Sequence, residues 1–247
     1  MTTEASPRLK GRVVGVFYLI NIVAGIFAEA FVRGSLIVSG DAKATASHIL
    51  ASQPLYRLGL AADLIGLACY IVVTLLFYDL FKPVNRSLSL LAAFFSLVGT
   101  SVLAIDTLNL LAPLVLLGGA PYLTAFNADQ LQAMAYTFLK LHALGYNFSV
   151  VFFGFYCLLV GYLIFKSIFL PRILGVLLAI AGLCYLISSF TNFLSVPLPN
   201  YLSDYILAPG LVGEGSLTLW LVIVGLNPTK WTRQARARWS EAESPRN

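Results

Sequence analysis

Seven polar side chains interrupt the apolar stretches of this sequence, and their types can exchange protons, bind cations or act as general acids and bases. Four are carboxylates, two are amides and one is an imidazole: Glu29, Asp63, Asp106, His142, Asn147, Asn192 and Glu214. Three basic residues that are close to them in sequence or predicted depth are the predicted charge partners: Arg33, Arg57 and Lys140. Together these residues form the predicted functional site.

The carboxylates and amides are predicted to lie at a similar depth in a membrane. An α-helix rises about 1.5 Å per residue, so each of them lies about 24–30 Å from the basic residue at the opposite end of its apolar segment. Because the hydrocarbon core of a bilayer is about 30 Å thick, this spacing predicts a polar layer near the outer boundary. His142 and Lys140 lie just beyond that layer.

The composition is that of a membrane protein. Of the 247 residues, 59% are hydrophobic and 11% are charged, and the mean hydropathy is +0.84. Soluble domains contain about 25% charged residues, and a membrane-spanning helix needs about 20 apolar residues. These values exclude a soluble enzyme, a nucleic-acid-binding domain and a disordered tail. They predict an all-α polytopic membrane helix bundle whose main partner is the lipid bilayer.

Six transmembrane helices are predicted, and the basic residues orient them. The predicted spans are Val13–Phe31, Leu55–Tyr78, Leu88–Leu111, Leu139–Phe165, Ile173–Phe193 and Leu211–Leu226. Twelve of the 16 Lys and Arg residues fall on the side of the two termini, so the positive-inside rule places both termini in the cytoplasm. The chain then divides into a basic N-terminus (1–12), a transmembrane domain (13–229) and a basic amphipathic tail (230–247).

The first span has a second interpretation. The apolar run Val13–Phe27 followed by Ala28-Glu29-Ala30 resembles a signal peptide with its cleavage site. Because the run is also long enough to cross a bilayer uncut, we favour an uncleaved first span.

Short helices are predicted beyond the bilayer. Asp41 precedes Ala42–Ser52 as a capping residue, and Ala128–Leu139 extends the fourth span outward. The segment Lys230–Glu243 contains two tryptophans and four basic residues, which favours an interfacial helix on anionic lipid. A frayed basic tail that only enforces the topology is the alternative.

Four carboxylates at the edge of a low-dielectric slab cannot all remain charged and unpaired. They have to face water, take up protons, pair with basic groups or share a cation, and an outward-facing polar cavity allows each of these. Polar residues are also expected where helices leave a membrane, which is the alternative explanation for Asp106 and Glu214 and, less strongly, for Glu29 and His142. It explains Asp63 less well, because apolar residues flank Asp63 on both sides.

Several catalytic and cofactor motifs are absent from the sequence. There is no phosphate-binding loop, no H-E-x-x-H zinc pair and no G-x-S-x-G nucleophile turn. The three cysteines lie inside apolar runs without the spacing of a metal site. We therefore expect no cofactor, assign no metal ligand, and leave open whether the protein is an enzyme.

Four blocks of residues resemble one protein family. They are Gly40-Asp41-Ala42 with Ala44, Thr45 and Ile49; Leu141-His142 with Gly145-Tyr146; the segment from Phe153-Gly154 to Leu174-Gly175; and Gly213-Glu214-x-Ser216-Leu217-x-Leu219-Trp220. Together they resemble the bacterial integral membrane family called domain of unknown function 4386. The resemblance implies a multi-pass protein of the bacterial cytoplasmic membrane and no particular substrate. It also gives weight to Asp41, Thr45, His142 and Glu214, which lie in these blocks.

Three functions are compatible with the sequence. The favoured one is binding or transport of a small cationic or proton-coupled ligand through the polar cavity, because the predicted layer is rich in carboxylates. The second is an intramembrane enzyme acting on a lipid-like substrate, with His142 as the acid–base group and Asp63 or Glu214 as its partner, or with a metal held by these groups. The third is a structural or regulatory membrane protein whose outer helices bind a partner.

Overall fold

The fold is all-α, as predicted. A computed structural model describes residues 6–195 and 205–243, with side chains through residue 238. Within these ranges the chain forms helices joined by turns and loops and contains no β-strand. Part of the predicted tail, including the Trp239 side chain and Arg246, lies outside the described residues.

Ten α-helices, one π-helical turn and two 3-10 turns make up the described chain. The α-helices are α1 (Pro7–Ile26), α2 (Gly34–Leu36), α3 (Ala42–Ala51), α4 (Gln53–Phe81), α5 (Arg86–Asp106), α6 (Ala112–Leu116), α7 (Ala128–Lys166), α8 (Arg172–Phe193), α9 (Ala208–Ile223) and α10 (Pro228–Glu243). The π-helical turn is Phe27–Arg33, and the 3-10 turns are Thr107–Leu110 and Pro121–Ala125.

Five helical segments are long and apolar enough to cross a membrane. They are Pro7–Leu36, Gln53–Phe81, Arg86–Leu116, Ala128–Lys166 and Arg172–Phe193. A sixth candidate joins α9 to α10, but these two helices are bent by 105°. At about 1.5 Å per residue, the 16 residues of α9 extend about 24 Å, which is less than the thickness of a hydrocarbon core. The chain is a polytopic membrane protein with five or six candidate spans.

The helix ends differ from the sequence prediction where the backbone changes type. The first helix changes to π-helical geometry after Ile26, and the third becomes a 3-10 turn after Asp106. The sixth predicted span ends at Ile223 rather than Leu226, because Gly225 has a φ of +75° that interrupts the helix. The predicted short helix after Asp41 is present as α3, and the predicted extension of the fourth span is the start of α7.

Close contacts divide the chain into two compact units. The first unit comprises Met1–Leu19, Cys69–Gly99 and Val150–Asn247, and the second comprises Ile20–Ala68 and Thr100–Ser149.

Aromatic rings fill the core of the first unit. The ring of Tyr70 meets those of Tyr18, Phe153 and Tyr156 edge to face, with centroid distances between 5.2 and 6.0 Å. Aromatic pairs at these distances and angles are favourable beyond the area that they bury. Two tyrosines of this cluster, Tyr18 and Tyr156, are almost fully buried.

Glycines bring α8 and the part of α7 that belongs to the first unit together backbone to backbone. A Cβ atom at Gly182 would lie 2.7 Å from the carbonyl oxygen of Gly154, and one at Gly175 would lie 2.5 Å from that of Gly161. Small residues allow this approach in membranes, where van der Waals packing replaces the hydrophobic effect between helices.

An apolar cluster forms the core of the second unit. It includes Val32, Ile49, Tyr56, Leu110 and Leu139, which come from five different segments of the chain. The Tyr56 hydroxyl donates to the carbonyl oxygen of Leu110 at 2.7 Å, so the phenol is satisfied inside the cluster.

Replacing Gly182 by Val tests the packing of α7 on α8. The added side chain would contact the Gly154 backbone, so we expect a loss of about 2–3 kcal/mol in the free energy of unfolding, typical of an overpacked site. The matched control is Gly215→Ala in α9, where an added Cβ meets no atom within 4 Å. Equal unfolding free energies of the two variants in detergent would contradict the packing.

Candidate functional site

Arg33 joins two of the predicted carboxylates in the second unit. Its Nη1 and Nη2 atoms lie 2.6 and 3.2 Å from the two oxygens of Asp63, and its Nε lies 2.5 Å from Oε2 of Glu29. The Arg33 and Asp63 side chains are only 11% and 14% exposed, whereas that of Glu29 is 71% exposed. Asp63 is therefore neutralised by a two-point guanidinium contact, and Glu29 is an exposed second partner.

The helix geometry places Arg33 against Asp63. Arg33 ends the π-helical turn, a feature that is frequent at functional sites. One helical turn before Asp63 on α4, a Cβ at Gly59 would lie 2.9 Å from Cγ1 of Val32. Because residues i and i+4 share a helix face, this close approach brings Asp63 to the level of Arg33.

Asp106 and His142 form a second pair in the same unit. Asp106 Oδ2 lies 2.7 Å from His142 Nδ1, and the two side chains are 7% and 11% exposed. Asn109 donates to the other oxygen of Asp106 at 2.8 Å. Neither Oδ2 nor Nδ1 has a hydrogen-bond partner in the described part of the chain, so the two atoms are in close contact without the direction of a hydrogen bond. The contact is an ion pair when the imidazole is protonated.

A glycine makes room for this pair. Gly145 lies three residues after His142, and thus on the same face of α7. A Cβ atom at Gly145 would collide with the carboxylate of Asp106. The absence of a side chain at this position therefore allows Asp106 to reach the imidazole.

Glu214 belongs to the first unit and has neutral partners. Its two oxygens accept hydrogen bonds from the hydroxyls of Tyr18 and Tyr185, each at 2.7 Å, and Cys157 Sγ lies 4.0 Å away. A Cβ at Gly210, one turn before Glu214, would collide with the Tyr185 ring and hydroxyl. Among the described residues, Glu214 takes part in no ion pair.

The side chains of the two predicted amides form hydrogen bonds within their own helices. Asn147 donates to the carbonyl of Ala143 and Asn192 donates to that of Ser188, both at 2.9 Å. These local bonds satisfy one donor of each amide.

The remaining predicted site residues have local contacts of other kinds. Lys140 lies over the ring of Tyr136 at 5.2 Å, and exposed Arg57 forms no ion pair within the described residues. Asp41 caps α3 by accepting from the Ala44 amide at 2.8 Å. Buried Thr45 donates to the carbonyl of Asp41 at 2.7 Å, so both residues shape the start of this helix.

The site therefore consists of separate partnerships. The sequence hypothesis paired His142 with Asp63 or Glu214, whereas its partner in the structure is Asp106. The tyrosine partners of Glu214 were not predicted from the sequence. Their positions within the apolar runs, away from the basic helix ends, were the available signal. The described residues contain no group of three or more His, Cys, Asp or Glu side chains that could hold a metal ion.

Comparison with known proteins assigns the chain to a family. Residues 13–225 match the family model described as Domain of unknown function (DUF4386). The chain belongs to this family. The matched DUF4386 region contains Asp63 with Arg33, Asp106 with His142, and Glu214 with its tyrosines.

The comparison also finds a similar protein but no similar solved structure. A protein of Archaeoglobus fulgidus, described only as uncharacterized, is 28% identical over 158 residues, which make up 63% of this chain and 76% of the relative. No solved structure is significantly similar to this DUF4386 member.

A double-mutant cycle tests the Arg33–Asp63 pair. Asp63→Asn leaves a buried guanidinium without its main partner, so we expect a loss of about 3–5 kcal/mol in the free energy of unfolding. In the double variant Asp63→Asn with Arg33→Gln, the total loss should be smaller than the sum of the two single losses. The exposed partner is the contrast: Glu29→Gln should cost less than about 1 kcal/mol. Additive losses would show that the pair does not interact.

Gly145→Ala tests the Asp106–His142 geometry. The new methyl group would displace the Asp106 carboxylate from the imidazole, and we expect about 2–3 kcal/mol of destabilisation from overpacking and the lost contact. Gly25→Ala in α1 is the control, since a Cβ there meets no atom within 4 Å. If both variants unfold in detergent at the same temperature as the unmodified protein, the close approach at Gly145 is contradicted.

Proposed function

We propose that this protein is a proton-coupled binder or transporter of a small ligand in the bacterial cytoplasmic membrane. The observation that carries this proposal is the buried Asp106–His142 pair, whose facing atoms lie 2.7 Å apart and have no hydrogen-bond partner among the described residues. Ionisable groups in membrane-spanning segments are costly and commonly mark ion and proton pathways. Imidazole is also the side chain best suited to exchange protons near neutral pH.

The Arg33 contacts favour a proton over another cation as the coupled ion. The guanidinium occupies both oxygens of Asp63, so a cationic ligand at this carboxylate would first have to displace Arg33. A proton can bind or leave the Asp106–His142 pair without displacing a side chain of that size. The sequence left open whether the ligand is cationic or coupled to protons, and the proposal retains the proton-coupled ligand.

The polar residues of the second unit would shape the ligand site in this proposal. Exposed Glu29 is available to a ligand from outside, and its bond to Arg33 links it to Asp63. A ligand that pulls Arg33 toward Glu29 would weaken the Arg33–Asp63 contact. Ligand binding and the charge state of the buried carboxylates are then coupled through electrostatics within one unit.

The topology and lipid partner complete the proposal. Both termini face the cytoplasm, as the distribution of basic residues favours. Helix α10 is held by Trp231, whose Nε1 donates to the Leu80 carbonyl at 3.0 Å, and by Gln234, which accepts from the Ile168 amide at 3.1 Å. The described tail is therefore a docked helix rather than a frayed segment. Its exposed basic residues suit the surface of an anionic lipid bilayer.

One observation favours an enzyme as the second candidate. His142 uses Nδ1 toward Asp106, which is the arrangement by which an aspartate orients a catalytic imidazole and leaves Nε2 for proton transfer. A lipid-like substrate would then be chemically changed when incubated with the purified protein. Turnover of a membrane lipid extract that is lost in His142→Gln would favour this candidate over transport.

Proton movement in proteoliposomes tests the proposed function. Vesicles containing the protein and an internal pH-sensitive dye are given inward gradients of amines, amino acids, organic acids and sugars in turn. We expect one class to change the internal pH, and we expect Asp106→Asn and His142→Gln to reduce the rate at least tenfold.

Two matched variants serve as controls in this assay. His48→Gln and Asp129→Asn change an exposed histidine and an exposed aspartate outside the pair, and their rates should equal that of the unmodified protein. A proton flux that survives in Asp106→Asn and His142→Gln, or the lack of flux with every class, would overturn the proposal.

A further inference from the structure

A cavity of about 470 Å³ lies in the first unit where α9 ends and α10 begins. Its apolar wall includes Phe169, Leu170, Trp220 and Val224. Two basic residues, Arg8 from the start of α1 and Lys230 from the first turn of α10, also line it. Cavities that hold small molecules have volumes of about 300–1,000 Å³, so this one is large enough for a ligand.

The break between α9 and α10 builds the cavity. The two helices meet at 105°, and Gly225 takes a φ of +75° at the break, a conformation that favours glycine. The backbone amide of Asn227 donates a hydrogen bond to the Phe169 carbonyl at 3.3 Å. This bond holds the break against the turn between α7 and α8. A Cβ at Gly225 would lie 3.3 Å from Cγ of Arg8, so the aliphatic stem of Arg8 packs on the same turn.

The charge of the cavity is positive and uncompensated. No acidic side chain is among its lining residues. Arg8 and Lys230 are both exposed, and neither forms an ion pair among the residues that the structure describes. A ligand that fits this lining has an anionic group for the two cations and an apolar part for the aromatic and aliphatic wall.

We infer that this cavity binds the phosphate group of an anionic phospholipid, with the first carbons of an acyl chain against Phe169, Trp220 and Val224. The cavity lies at the junction of an apolar candidate span and a basic amphipathic helix, where phospholipid phosphates are found at a membrane boundary. The inference is independent of the proposed proton coupling. A lipid bound in this cavity differs from a general attraction of anionic lipids to the basic tail, because one lipid has to occupy one defined place.

Lipid binding to the purified full chain in a non-ionic detergent tests the inference by native mass spectrometry. The probes are phosphatidylglycerol, phosphatidylcholine with the same acyl chains, and soluble glycerol 3-phosphate. We expect one phosphatidylglycerol to bind at least tenfold more tightly than phosphatidylcholine. Glycerol 3-phosphate should not compete, because it lacks the apolar part.

Variants separate the cavity from the surface of the tail. Arg8→Gln with Lys230→Gln should weaken phosphatidylglycerol binding at least tenfold, and Arg8→Lys with Lys230→Arg should retain it. The matched control, Arg233→Gln with Arg236→Gln, removes two charges from α10 outside the cavity and should change affinity less than about twofold. Val224→Phe narrows the apolar wall without changing charge and should also weaken binding at least tenfold.

Three results would overturn the inference. Equal losses in the cavity variant and the tail control would show surface electrostatics only. Equal affinity for phosphatidylglycerol and phosphatidylcholine would show that the phosphate site does not discriminate by charge. Competition by glycerol 3-phosphate as strong as that by the lipid would show a site for free anions instead.

Discussion

The high cost of an unpaired charge in an apolar environment governs this structure. Three acidic residues in apolar segments meet that cost in three ways. Asp63 is neutralised by Arg33, Asp106 lies against the His142 imidazole, and Glu214 accepts from two tyrosine hydroxyls. Arg33 is always charged, so the first arrangement is a fixed ion pair, whereas an imidazole is charged only when it is protonated. This difference is why the proposed function rests on the Asp106–His142 pair.

Glycines allow each of these partnerships. In all three cases a glycine lies on the same helix face as a member of the partnership, where a Cβ would meet a neighbouring side chain within 3 Å. These glycines are Gly59, Gly145 and Gly210. Because polar groups have to approach to hydrogen-bond distance, the helices that bear them have to pack unusually closely at these levels. Helix packing and electrostatics are therefore parts of one arrangement rather than separate features.

The sequence predicted the elements better than the contacts between them. Long apolar runs and basic turns were sufficient to locate the helices, because the thickness of a bilayer constrains the length of each span. The bend after Ile223 was not predicted, since it depends on the backbone of a single glycine. Arg33 was recognised as a charge partner from its nearness in sequence, but Asp106 was not recognised as the partner of His142. Contacts between distant segments depend on helix rotation, which spacing along one chain does not determine.

The proposed function depends most on the buried contact between Asp106 and His142. Nitrogen-15 NMR of histidine-labelled protein in lipid bilayers tests it directly, because the chain contains only 2 histidines. We expect one imidazole that its burial against Asp106 protects from exchange with water, and Asp106→Asn should shift this signal and leave that of His48 unchanged. Two imidazoles that both exchange freely with water, and that Asp106→Asn leaves unchanged, would contradict a buried Asp106–His142 contact.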